Sequence, residues 1–376
     1  MIMHNNLVIH DVIKNIDDID NHNKAISAST DIDAIKTWLM EFANSPNTFI
    51  SYRQTAERFL LWLMQYHTNL SAVSREDIHD YQQFLAAPTP TKFWCGPSRP
   101  RNHEEWKPFV KGLANSSIKL NLQILTTMYE YLIQSGYLNI NPFKLIKRKS
   151  ARLTTNKGVE RYLTHKEWQY ILDHIEKMPV NSPKTQRESS RVKWIFSLLY
   201  LSGCRRSEII NARMSDFVKR NDNWWLKVIG KGNKYGEIPV TNDLLSSLVD
   251  YRKSINLPHY PKLSENHIPI VCSIQTKADT YAPITDSMLY KIIKQTCKYI
   301  ATALEIRDPA AAFVIEQVST HWLRHTSATH QVDAGIDIRV VKDNLRHSLL
   351  ETTMKYQHTE ADARHIETNK KFGIKS

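Results

Sequence analysis

The stretch "HWLRHTSATH", residues 321–330, places three histidines and an arginine on a presumed helix. His321 and His325 are four residues apart, which is the spacing of the two zinc ligands in helical zinc-peptidase motifs. However, Trp322 stands where such an enzyme carries its glutamate base, and the downstream histidines show no familiar third-ligand spacing. The sequence therefore predicts that no metal is bound here.

Polar residues on one helix are individually more often surface groups or satisfied core groups than parts of a site. Other motifs along the chain favour a functional role. In "SGCRRSE", Arg205 and Glu208 lie three residues apart, so that the carboxylate can orient the guanidinium. In "GKGNK", Lys231 lies in a predicted β-turn. In "HWLRH", His321 and Arg324 share one helical face.

The last motif is "LRHS", which supplies His347, followed nine residues later by Tyr356. Together with Arg205, Lys231, His321 and Arg324, these side chains suit phosphoryl transfer. Arginines bind non-bridging oxygens as charge develops, and a lysine can protonate a leaving alkoxide. A histidine can relay protons, and a tyrosine can act as a covalent nucleophile.

In this order the motifs resemble those of the tyrosine site-specific recombinase (phage integrase) family. The family patterns are T-G-x-R-x-x-E, G-K-G-x-K, H-x-L-R-H-T-x-A-T and L-G-H-S followed by the tyrosine. The resemblance covers roughly residues 160–360.

The resemblance implies a role for each matched residue. Arg205 and Arg324 would clamp the scissile phosphate, and Lys231 would protonate the departing 5′ oxygen. His321 would exchange a proton near the nucleophile, and His347 would hydrogen-bond a phosphate oxygen. Tyr356 would attack to form a 3′-phosphotyrosine bond, and Glu208 would support Arg205 without reacting. The covalent link conserves the bond energy, so no cofactor is expected; the sequence also has no P-loop.

Three positions depart from the family pattern. Ser202 replaces a threonine, Arg346 replaces the glycine before His347, and Gly236 stands where many relatives have an arginine. Arg346 could contact DNA or point to solvent, and the sequence does not choose between them. No departure removes a catalytic group, so we expect an active enzyme.

Composition fits a polyanionic partner. The 376 residues include 50 Lys+Arg and 38 Asp+Glu, which gives a formal net charge of +12. The four cysteines are dispersed, which is typical of a reducing compartment, and no apolar run approaches a membrane span. We expect a cytoplasmic, nucleoid-associated protein without a membrane partner.

The patterning predicts a mainly α fold with a small antiparallel β-sheet. We expect a weakly ordered arm at 1–30, followed by a helical core-binding DNA-binding domain at 31–146 that carries a Pro-rich basic insertion at 88–115. A basic linker at 147–160 then leads to a catalytic domain of the DNA breaking-rejoining fold at 161–376. The last part of that domain, 357–376, is expected to be a tail. The insertion could be a surface loop with its own aromatic cluster or a loop on the phosphate backbone. Candidate DNA contacts are Arg99, Arg101, Lys147, Arg148, Lys149, Arg152 and Arg161.

We expect a recombinase that acts on double-stranded DNA sites and exchanges strands through a Holliday junction, to integrate or excise a mobile element. The resemblance further implies a homo-oligomer, with a dimer on each site and a tetramer in synapsis. The alternatives are a type IB topoisomerase-like or junction-resolving enzyme with the same chemistry, or a DNA-binding factor with a silent active site.

Overall fold

The computed structural model describes residues 25–66, 68–145, 161–230, 234–274 and 281–346. The chain divides into two compact units, residues 1–156 and 157–376. Each unit is built around its own buried apolar cluster. Among the described residues, no helix combines the length and apolarity that a membrane crossing requires.

The first unit is helical. Its helices are α1 (Asp31–Met40), α2 (Pro46–Gln65), α3 (Arg75–Ala86), α4 (Thr91–Trp94) and α5 (Asn115–Gln134). Ser74 and Asp77 form the capping box that the sequence indicates at the start of α3. The apolar faces of α2, α3 and α5 meet around Phe59, Tyr81 and Tyr129, which are fully buried. Amphipathic periodicity thus produces one helical core.

The Pro-rich insertion contributes to that core. Trp94 and Phe109 are 2% and 1% exposed and pack against Phe84 of α3. Trp94 and Phe109 therefore belong to the main core of the first unit, whereas Phe93 is 50% exposed. The two segments that carry them are tied together by backbone hydrogen bonds between Gly96 and Phe109 and between Phe109 and Trp94.

The second unit is mostly helical with one small sheet. Its elements are α6 (His165–Glu176), α7 (Pro183–Ser202), α8 (Arg206–Asn211), β1 (Phe217–Arg220), β2 (Asn223–Ile229), β3 (Tyr235–Val240), α9 (Asn242–Ser254), α10 (Asp286–Leu304), α11 (Pro309–Gln317), α12 (Thr320–Asp333) and α13 (Ile338–Leu345). The central helix α7 buries Trp194, Ile195 and Leu199. The expected mainly α fold with a small antiparallel sheet is confirmed.

The sheet has three strands in the order β1-β2-β3, with both pairs antiparallel. In the sequence, two β-rich runs, Trp224–Ile229 and Glu237–Val240, flank a Gly/Lys/Asn turn and predict only the β2–β3 hairpin. The additional strand β1 pairs with β2 through a two-residue turn, in which Asn221 and Asp222 have φ of 46° and 65°. Positive φ at both central positions matches the twist of a hairpin, and Asn and Asp tolerate it better than most residues. The Asn-Asp pair was the sequence signal for this strand.

Candidate active site

The first site element is the turn between α7 and α8. α7 ends at Gly203, whose φ is 57°, and a Cβ there would lie 2.6 Å from Cδ2 of Leu345. Both the left-handed backbone and the close approach require glycine. Because the chain turns here, Arg205 becomes the residue that caps the start of α8.

Glu208 holds Arg205 at two points. Oε1 of Glu208 accepts from Nη1 of Arg205 at 2.9 Å, and Oε2 accepts from the Arg205 backbone N–H at 2.7 Å. The Glu208 side chain is fully buried, whereas that of Arg205 is 35% exposed. A buried carboxylate thus fixes a guanidinium that remains accessible from outside.

Arg324 lies on α12 and is buried. Its guanidinium donates to the backbone carbonyls of Gly203 and Leu345, at the ends of α7 and α13. Burial, together with the positive charges of Arg205 and Arg346, lowers the pKa of Arg324 to about 10. The group is therefore still protonated at neutral pH, and it lies where three helices meet.

The end of β2 lies beside the Arg205–Glu208 pair. A Cβ at Gly230 would be 3.3 Å from Oε1 of Glu208 and 3.8 Å from Nη1 of Arg205. Lys231 follows Gly230 in the chain and lies outside the described residues.

The end of α13 also contacts both arginines. The carbonyls of Leu345 and Arg346 accept from Arg324 and from Nη2 of Arg205, the latter at 3.3 Å. Nη2 of Arg346 donates to Oε2 of Glu208 at 2.5 Å, and the Arg346 side chain is only 13% exposed. Arg346 therefore turns into the site and away from solvent. Its φ of 54° explains why glycine suits this position. The sequence alone shows that Arg346 replaces a glycine but does not show which way its side chain points.

His321 and His325 form a pair at the exposed start of α12. Their Nε2 atoms are 2.7 Å apart, so one ring donates to the other. His330, the third histidine of the stretch, lies elsewhere: Nδ1 is 2.9 Å from the Tyr200 hydroxyl and Nε2 is 2.9 Å from the Leu163 carbonyl. The three histidines therefore do not converge on one point.

One cluster in the described part of the chain has the geometry of possible metal ligands, namely His165, His330 and Asp333. Both ring nitrogens of His330 already have protein partners, so this residue has no lone pair to offer without breaking a hydrogen bond. Cys204, next to Arg205, is 1% exposed, and burial raises the pKa of its thiol to about 11. A thiol of that kind is unreactive at neutral pH.

Comparison with known proteins decides the family. The model of the phage integrase family matches residues 161–362, more than half of the chain. The chain belongs to the phage integrase family. It is a tyrosine-type recombinase, an enzyme that cleaves and rejoins DNA.

Two tyrosine recombinases named XerC illustrate the relationship. The one from Staphylococcus saprophyticus is 27% identical over 84% of this chain and 87% of its own length. The one from Thermodesulfovibrio yellowstonii is 26% identical over 68% of this chain and 75% of its own.

Solved structures share the fold. The XerH site-specific recombinase bound to a palindromic difH substrate matches with a TM-score of 0.60 and 17% identity, over 92% of this chain and 85% of that one. The Tn1549 transposon integrase in complex with transposon right end DNA matches with a TM-score of 0.61 and 17% identity, over 92% and 100%.

The structure brings together some of the residues that the sequence singles out in this recombinase. Arg205 bonds Glu208 directly, and Arg205 and Arg324 donate to the adjacent carbonyls of Arg346 and Leu345 at the end of α13. His321 lies one turn before Arg324 on α12. Lys231, His347 and Tyr356 lie outside the described residues, as do the linker candidates Lys147, Arg148, Lys149 and Arg152. Arg161 is exposed, Arg99 pairs with Glu105, and Arg101 lies over the ring of Trp106.

Proposed function

We propose that this protein is a site-specific recombinase that joins itself to DNA through a 3′-phosphotyrosine bond at Tyr356. It exchanges strands through a Holliday junction to integrate or excise a mobile element. The observation that carries the proposal is the meeting of Arg205 and Arg324, which are far apart in sequence, around the carbonyls that end α7 and α13.

The charge at this point suits a scissile phosphate. Among the described residues, Arg205 and Arg346 both pair with the carboxylate of Glu208, and the charges of all three affect the pKa of the nearby Arg324. Three guanidiniums thus stand against one carboxylate in this part of the structure. The pentacoordinate transition state carries more negative charge on its non-bridging oxygens than the ground state does. Guanidiniums that are held in place by protein contacts stabilise that extra charge selectively.

The remaining steps fall to residues that the family resemblance assigns. Tyr356 attacks the phosphorus, its proton passes to His321, and the 5′ oxygen leaves with a proton from Lys231. His347 donates a hydrogen bond to a non-bridging oxygen. The described residues that precede Lys231 and His347, namely Gly230 and Arg346, lie against Glu208, which supports assigning both to this site.

DNA outside the cleaved phosphate is contacted by the first unit, by the basic linker and by the first residue of the catalytic domain. The assigned residues are Arg99, Arg101, Lys147, Arg148, Lys149, Arg152 and Arg161. A formal charge of +12 supports a salt-dependent contribution from phosphate contacts. In these contacts the arginines set position, and sequence is read at base edges.

Trapping with a nicked suicide substrate tests the nucleophile. DNA from the flanks of the gene, nicked so that the cleaved end diffuses away, should accumulate a covalent complex with the wild-type protein. Tyr356→Phe should form none while retaining DNA binding in a mobility-shift assay, because it lacks only the attacking oxygen. Tyr235→Phe is the matched control, since Tyr235 is an exposed tyrosine bonded to Glu237.

Adducts that persist in Tyr356→Phe would show that another residue is the nucleophile. A plasmid with two copies of the site then separates recombination from topoisomerase activity. Deletion or inversion of the intervening DNA supports the proposal, whereas relaxation of supercoils without rearrangement contradicts it.

We also propose that two protomers occupy each DNA site and that four assemble in synapsis. One solved structure of the same fold is a lambda integrase dimer bound to a COC′ core site, with a TM-score of 0.53 and 14% identity. A DNA site with two-fold symmetry would offer one equivalent half-site to each of two identical protomers.

A further inference from the structure

Arg346 and Gly236 both depart from the family pattern, and in the structure they are in contact. A Cβ at Gly236 would lie 2.4 Å from Cδ and 3.3 Å from Cγ of Arg346. Any side chain at 236 would therefore take the space through which Arg346 passes. The two departures are physically coupled, because the missing side chain on β3 makes room for the added side chain after α13.

Arg346 occupies a backbone conformation that disfavours it. Its φ and ψ are 54° and 46°, in the left-handed region that glycine adopts without a steric cost and that an arginine rarely adopts. The side chain is nevertheless ordered by two hydrogen bonds. Nη2 donates to Oε2 of Glu208 at 2.5 Å, and Nη1 donates to the Asn344 carbonyl at 2.8 Å. These contacts offset a conformational cost that glycine would not carry.

Glu208 is the shared acceptor of both arginines. Its Oε2 takes the Arg346 guanidinium and the Arg205 backbone N–H, and its Oε1 takes the Arg205 guanidinium. The carboxylate is completely buried, and these three donors are its hydrogen-bond partners among the described residues. Removing one of these donors would allow the Glu208 carboxylate to change its rotamer. The Arg205 guanidinium, which this carboxylate holds, would then be less firmly positioned.

We propose that Arg346 is a positioning residue for the cleavage reaction, because through Glu208 it fixes Arg205 on the scissile phosphate. Gly236 has no side chain and so leaves room for the side chain of Arg346. This inference rests on the proposed function of Arg205. The Arg346 side chain is 13% exposed and that of Arg205 is 35% exposed, so Arg346 is the less accessible of the two guanidiniums that bond Glu208.

The test is single-turnover cleavage of the suicide substrate by Arg346→Gly. Glycine fits the left-handed backbone, so the melting temperature should stay the same or rise. The rate at saturating protein should fall by about 10- to 100-fold, the range expected when a catalytic group is slightly misplaced. The DNA concentration for half-maximal cleavage should change by less than about threefold, since no phosphate contact is removed.

A double-mutant cycle tests the coupling to Gly236. Gly236→Ala should displace the Arg346 side chain and lower the rate about as much as Arg346→Gly does. In the Arg346→Gly background the alanine should change the rate by less than about twofold, because the two changes act on one contact. Arg346→Lys, which keeps the charge but lacks the fork, should give an intermediate rate.

Arg339→Ala is the matched control. It removes one positive charge from the same helix at a side chain that is 83% exposed. The inference is overturned if Arg346→Gly cleaves at the wild-type rate, if Arg339→Ala loses as much, or if Gly236→Ala acts equally in both backgrounds. Failure of the proposed function looks different, because the wild-type protein itself would then form no covalent complex.

Discussion

At the scale of the residue, His330 shows how a polar side chain is accommodated in the core. The ring is 5% exposed and stacks on His165 with centroids 3.7 Å apart. A carbonyl can only accept, so Nε2 carries the hydrogen that is donated to Leu163, and Nδ1 accepts from Tyr200. The hydrogen bonds therefore select one neutral tautomer.

This environment makes stability depend on pH. Burial and then the neighbouring His165 lower the pKa of His330 below its ordinary value of 6.5. The unfolded chain thus binds a proton more readily, and stability that is complete above about pH 6.5 declines as the pH falls toward the folded-state pKa. We expect the melting temperature to fall between pH 7.5 and 5 in the wild type and less steeply in His330→Gln. Equal slopes would contradict this account.

At the scale of the element, a buried ion pair closes the end of α9. Arg252 is fully buried, and its two terminal nitrogens donate to Glu265 at 2.8 and 2.9 Å. The same side chain donates to the carbonyls of Pro258 and Tyr260. One guanidinium thereby ties the helix to the segment that follows it.

Breaking this pair should destabilise the second unit. Arg252→Met leaves Glu265 buried without its cation, and we expect a loss of about 3–5 kcal/mol in the free energy of unfolding by urea. The exposed pair of Arg220 and Glu237 is the control, and Arg220→Met should cost at most about 1 kcal/mol. If the two variants lost similar amounts of unfolding free energy, burial would not be the reason for the contribution of the Arg252–Glu265 pair to stability.

At the scale of the whole molecule, the proposed dimer on DNA predicts two bound species. A full site should give two successive shifted bands in a mobility-shift assay, and a half-site should give one. The resemblance to the family implies that the C-terminal tail packs on a neighbouring protomer, so removing residues 365–376 should leave the first band and weaken the second. A truncated protein that forms the second band and synapses normally would contradict this role for the tail.

The sequence by itself determined the helical periodicity, the capping box at Ser74 and the identity of the motifs, because these are local patterns. It missed strand β1, whose pairing depends on a short turn, and it expected a separate aromatic cluster as one alternative for the insertion.

Only the tertiary structure decided which motif residues meet. Arg324 reaches the ends of α7 and α13 because those helices pack around it, and sequence spacing carries no such information. Likewise, Arg346 and Gly236 are two unrelated departures from the family pattern in the sequence, but in the fold they contact each other. The physical reason is that a guanidinium is fixed on its partner by burial and by contacts between residues far apart in sequence. Both exist only in the folded chain.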